Sequence, residues 1–173
     1  MKSGLDFGGK HRGIVEDNSD PLKLGRLKVR VQAAYGNQPV GNLPWAWPCF
    51  AYGGMSQMAF YAVPEVGAGV WVEFQWKDGK PDPTYPVWTG GWIAEGETPE
   101  EVEGSPEDAH YYKVFKTASG HVVTMCDKPG EEFVRIVHGV QKQTVDMDKE
   151  GNMTISVPNL LLFKVGHATM EAY

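Results

Sequence analysis

The sequence has 173 residues, enough for one full domain and a smaller module, and at 42% apolar it can build a packed core. Its 21 glycines, 12 prolines and 12% aromatic content suit short strands and tight turns rather than long helices. A formal net charge of −6 argues against a chain whose main work is gripping phosphate backbones, which rests on clustered Lys and Arg. No apolar run approaches the roughly 20 residues of a membrane span. The opening residues 1–6 hold no apolar signal core, so the chain is expected to be made in the cytosol. Cys49 and Cys126 match neither a CxxC nor a zinc spacing. Whether they pair stays open at this level, two buried thiols being the simpler expectation.

In chain order, residues 1–9 are polar and Gly-rich and read as an N-terminal arm. Residues 10–94 hold five predicted strands. The first covers 11–16 and is followed by turn formers at 17–21. The second, 26–32, alternates strictly: Leu27, Val29 and Val31 face one way, and Arg26, Lys28, Arg30 and Gln32 the other. The third is placed at 58–63, stopped by Pro64. The fourth, 69–76, sets Val70, Val72, Phe74 and Trp76 on one face, and Asp78-Gly79 after it is a hairpin signal. The fifth covers 85–92, where Pro86 suggests an edge or a bulge. Five short strands in this length predict a closed five-stranded Greek-key barrel of the OB type.

Residues 95–109 carry seven acidic side chains (Glu95, Glu97, Glu100, Glu101, Glu103, Glu107 and Asp108) and read as an acidic linker or a loop packed on its neighbours. Residues 110–173 form a second β-region. Strands are predicted at 122–125, 133–137, 144–147, 153–157 and 160–165, each followed by turn formers, with a spacing near ten residues. One such stack leaves long edges unpaired. Winding several chains round one another pairs them, and a trimer is the simplest threefold closure. The fold class expected is therefore all-β: an OB-type barrel followed by a short interwound trimeric β-prism or β-helix stem at 110–173.

Several segments, in order, resemble one family. Residues 13–31, with Asn18, Asp20 and Pro21 leading into Leu24-Gly25-Arg26-Leu27-Lys28-Val29-Arg30, resemble the opening of the OB domain in the baseplate central spike proteins of contractile-tailed phages and in the related VgrG spikes of type VI secretion. Trp45-Ala46-Trp47-Pro48, residues 64–74 and residues 82–90 resemble the following barrel motifs. Lys116-Thr117-Ala118-Ser119-Gly120-His121 resembles the opening of the spike shaft. The resemblance implies a homotrimer at the centre of a virion's tail baseplate, beneath hub proteins, its stem directed at the host outer envelope and helping to pierce it during contraction. Some spikes carry a lysozyme domain between barrel and shaft; the acidic interval here is far too short for one. Longer spikes end in a needle, sometimes with a His-x-His metal site. This sequence ends with His167 alone, so a separate tip protein is expected to cap it. Three copies of His167 meeting on a threefold axis are the alternative.

Chemistry is weighed against plainer readings. The acidic run supplies carboxylates of the type glycoside hydrolysis needs, but that reaction requires two held across a cleft with one pKa raised, and solvated Glu beside Pro and Gly offers neither. His11, His110, His121, His138 and His167 show no metal-ligand spacing. His121 follows Ser119-Gly120 without a Gly-x-Ser-x-Gly elbow and reads as a turn residue. No catalytic residue, cofactor or metal is expected. The rival reading is an OB module binding single-stranded nucleic acid or oligosaccharide, through Lys23, Arg26, Lys28 and Arg30 beside Tyr35 and Trp45, or through a platform of Trp45, Trp47, Trp71, Trp76, Trp88 and Trp92. The acidic overall charge favours a subunit contact or solvated face for the basic strand, and no nucleic-acid partner is expected.

Overall fold

The computed structural model describes residues 7–165 and 168–172. The chain divides into two compact units, Met1–Gly96 and Glu97–Tyr173.

The first unit is a closed barrel. Its strands are β1 (His11–Asp17), β2 (Leu27–Arg30), β3 (Trp45–Pro48), β6 (Gly69–Lys77) and β7 (Lys80–Gly91), in the order β1-β2-β3-β7-β6. All neighbours are antiparallel except β3 and β7, which run parallel through Trp47 beside Val87 and Pro48 beside Trp88. The alternation in the sequence sets the inside: Leu27, Val29, Val31, Val70, Val72 and Phe74 are buried and join Val15, Leu43, Ala46 and Trp88 in one core. Gly13 on β1 permits the closure, because a Cβ there would stand 2.4 Å from Val29 Cγ1. The β6–β7 turn uses Asp78 and Gly79, both at positive φ (51° and 78°), as a two-residue hairpin of the primed type requires. The buried polar tips are satisfied: the Trp88 indole donates to the Gly25 carbonyl (3.0 Å) and the Tyr35 hydroxyl to the Pro83 carbonyl (2.7 Å).

One predicted strand is corrected. Residues 58–63 are not the third barrel strand; that place belongs to β3, whose Ala46 is fully buried. Met58–Ala59 is a short β5 pairing with β4 (Gly53–Met55) in a hairpin outside the barrel sheet. The physical reason is burial: residues 58–61 are all exposed, so their apolar character does not mark a core strand. A single helical turn, α1 (Gln32–Tyr35), follows β2, where the sequence reading had continued the strand to Gln32. Of the predicted arm, residues 1–6 lie outside the described residues, while Phe7 packs edge-on against Phe74 at 5.6 Å.

The second unit is an antiparallel five-stranded meander. Its strands are β8 (Tyr112–Lys116), β9 (Val122–Cys126), β10 (Phe133–Val137), β11 (Thr144–Met147) and β12 (Met153–Ser156), each paired with its sequence neighbours. A further hairpin joins β13 (Leu161–Val165) and β14 (Ala168–Ala172). Within one chain the main sheet of the second unit therefore has β8 and β12 at its edges. The acidic segment from Glu97 belongs to this unit and is tied to it: Glu100 and Glu101 both reach Lys116 Nζ at 2.8 Å, and Asp108 reaches Lys128 at 3.4 Å. Among the described residues no helix is long and apolar enough to cross a membrane.

Candidate functional site

The basic strand is committed within its own unit. The loop before β2 folds around Asp20, whose carboxylate accepts from the backbone N–H groups of Leu22 (3.0 Å), Leu24 (2.8 Å) and Arg26 (3.2 Å) and from the Arg26 guanidinium (2.6 Å). Arg26 in turn lies over the rings of Trp45 and Trp47 (5.4 and 5.6 Å). Lys28 donates to the Val40 and Gly41 carbonyls and lies over Trp45. Arg30 pairs with Glu16 and donates to the Gly36 and Gln38 carbonyls. Three of the four cations proposed for a nucleic-acid face are thus held by protein acceptors. The tryptophans do not form one platform: Trp88 is in the core, while Trp47 and Trp76 are exposed.

Several carboxylates have the opposite bias from a general acid. Lys116 holds Glu100 below the ordinary glutamate range, and turn hydrogen bonds do the same for Glu107 and Glu132. Arg26 and three backbone donors hold Asp20 well below the ordinary aspartate range. His121 closes the β8–β9 turn and His138 the β10–β11 turn; their rings meet at 4.4 Å, and each Nδ1 accepts from a backbone N–H, that of Gly139 and of Gln141 respectively. His11 and His110 engage the Phe7 and Glu107 carbonyls, and His167 lies outside the described residues. Among the described residues no three His, Cys, Asp or Glu side chains are grouped to hold a metal ion. Cys49 and Cys126 are free thiols, the first exposed and the second buried.

One face of the β8–β12 sheet carries a broad apolar surface. Register aligns its side chains in two rows. The first row is Lys113, Met125, Val134, Met147 and Met153; the second is Phe115, Val123, Ile136, Val145 and Ile155. Nine of these ten positions are apolar, and the tenth, Lys113, turns its ammonium to Asp127 (2.5 Å) and to the His110 and Tyr111 carbonyls. Phe115, Met125, Ile136, Met153 and Ile155 are all exposed, Phe115 by 51% and Met153 by 62%. The opposite face is different. Val122, Thr124 and Cys126 are buried there, and toward the β12 edge it carries Arg135 bound to Asp146 (2.6 Å), then Thr154 and Ser156. A sheet with an apolar double row exposed on one face expects cover over that face. The sequence reading placed four of these strands but not this face; the signal was the alternate residues of those four strands, β9 to β12, all of which are apolar.

Residues 11–92, the barrel, match the family model of the type VI secretion system/phage-baseplate injector OB domain. The barrel is thus similar to baseplate injector domains. A comparison with curated proteins finds no match to the chain.

Proposed function

Proceeding from a barrel similar to the baseplate injector OB domains, we propose that this chain is a non-catalytic spike protein at the centre of a contractile tail baseplate, acting as a homotrimer whose stem helps to pierce the host envelope when the tail contracts. The observation that carries the reading is the double apolar row on the β8–β12 sheet. Three copies with these faces turned inward form a closed prism in which each sheet covers the other two, leaving the Arg135–Asp146 face in water. Taking one such half-exposed side chain out of water contributes roughly 1 kcal/mol. The result is a stiff rod: bending it strips contacts from many rows at once, which suits a part that transmits force and carries no reaction. Hub proteins would hold the barrels, and a separate tip protein would close the stem. The lowered carboxylate pKa values and the internally bound cations support a structural role over a hydrolase or an oligonucleotide-binding module.

Light scattering on the purified chain tests this. A mass three times that of the 19.1 kDa chain is expected. Ile136→Lys, which sets a charge in the middle of the second row, should reduce it to the mass of one chain while the barrel stays folded by circular dichroism. A wild-type protein that runs as a single chain at all concentrations removes the proposal.

A further inference from the structure

Residues 31–64 contain no Asp, Glu, Lys, Arg or His, so all 38 acidic and basic residues (16 plus 22) lie elsewhere in the sequence. Within this stretch the β4–β5 hairpin stands apart from the barrel sheet as a two-stranded ribbon. Its surface is apolar and solvent-facing: Tyr52, Met55, Met58, Phe60 and Tyr61 are all exposed, Met55 at the tip by 67%. The ribbon is anchored at its root. Phe50 packs edge-on against the core Trp88 (5.4 Å) and at a tilt against Tyr61 (5.5 Å), and Phe60 donates its N–H to the Tyr52 carbonyl (2.9 Å). At the root a cleft of about 290 Å³ opens between Pro48, Cys49, Phe50 and the ribbon glycines. A two-stranded ribbon is marginal alone, and one that shows apolar side chains to water is stable when something covers it.

We propose that this hairpin is a second self-association element, the tip of one copy's ribbon seating against the ribbon root of the next copy. The partner is argued from charge. A partner bringing ionised side chains to this surface would lose their hydration with no charged side chain of residues 31–64 to pair them. The same stretch of another copy brings none, and it supplies both a projecting apolar tip and an uncharged cleft. Such a tip-to-root contact is head-to-tail, and under threefold symmetry it closes into a ring. The inference rests on the homotrimer reading, because copies joined through the stem would hold one another's barrels at high effective concentration and make a small contact sufficient.

The test uses the full chain with a benzophenone photo-crosslinker placed at position 55 and, in a second protein, at position 58, so that misfolding of one leaves the other. A control carries it at position 78, in the charged β6–β7 turn. Irradiation of particles with the three-chain mass should give covalent oligomers from positions 55 and 58, mapped by mass spectrometry to residues 48–61 of another copy, and none from position 78. Three-chain particles that link only within their own chain from both positions overturn this inference and leave the spike reading standing. A one-chain mass for the unmodified protein overturns both.

Discussion

Asp20 shows how a single side chain organises a loop. Its carboxylate gathers three backbone donors and a guanidinium, and its side chain is only 3% exposed. Charge-assisted hydrogen bonds of this kind favour the ionised form, and the carboxyl is accordingly held well below its ordinary range, the Arg26 bond being the largest cause. The sign of the pH effect follows. A carboxyl with a depressed folded-state pKa stabilises the fold fully above its unfolded value, about 3.9, and loses that contribution as pH falls below it toward the folded value. Asp20→Asn should therefore lower the urea midpoint of the barrel at pH 7, and the gap to wild type should narrow steadily below about pH 4. A gap that stays constant down to pH 2 contradicts the assignment. The sequence marked residues 17–21 as a turn, since Asp, Asn, Ser and Pro are dense there; which of them collects the donors is a matter of chain path and was not readable.

At the scale of elements, β2 and β6 were legible because strict alternation has one interpretation when one face is buried. β3 was not, because Trp45-Ala46-Trp47-Pro48 is four residues long and bounded by prolines at 44 and 48, while 58–63 offered a longer apolar run. Hydrophobicity there reports an exposed ribbon, and sequence does not separate apolar residues facing a core from those facing a partner. The β8–β12 sheet makes the same point. Its double row exists only through register, which no single strand reveals. The two kinds of face respond differently to truncation. Leu27→Ala, at a fully buried barrel position, should destabilise the first unit by about 2–5 kcal/mol in urea titration. In the second unit, Gly139 is constrained by contact: a Cβ there would lie 2.1 Å from the Ser119 carbonyl oxygen, where the β8–β9 and β10–β11 turns touch. Gly139→Ala should force these turns apart and cost roughly 1–3 kcal/mol in the second unit, leaving the barrel's midpoint unchanged. Equal loss in both units would mean that they do not unfold separately.

For the whole molecule, the distribution of core decides which part can stand by itself. Eleven buried apolar residues form one cluster, all of them in the barrel. Among the described residues of the second unit, the buried set is Val122, Thr124 and Cys126, one of which is polar. If this sheet, with so little interior of its own and nine apolar side chains on an open face, is covered by other copies as proposed, its stability depends on protomer concentration. The barrel's does not. Thermal unfolding of the full chain, followed by circular dichroism over a hundredfold dilution, should therefore show two transitions. One, carried by Trp88 in the barrel core, keeps its midpoint; the other, from the β8–β12 sheet, moves to lower temperature as the protein is diluted. With Ile136→Lys the second transition should be lost at every concentration while the first remains in place. If neither transition moves on dilution, the second unit is held by its own contacts, and the double row has some purpose other than joining copies of this chain.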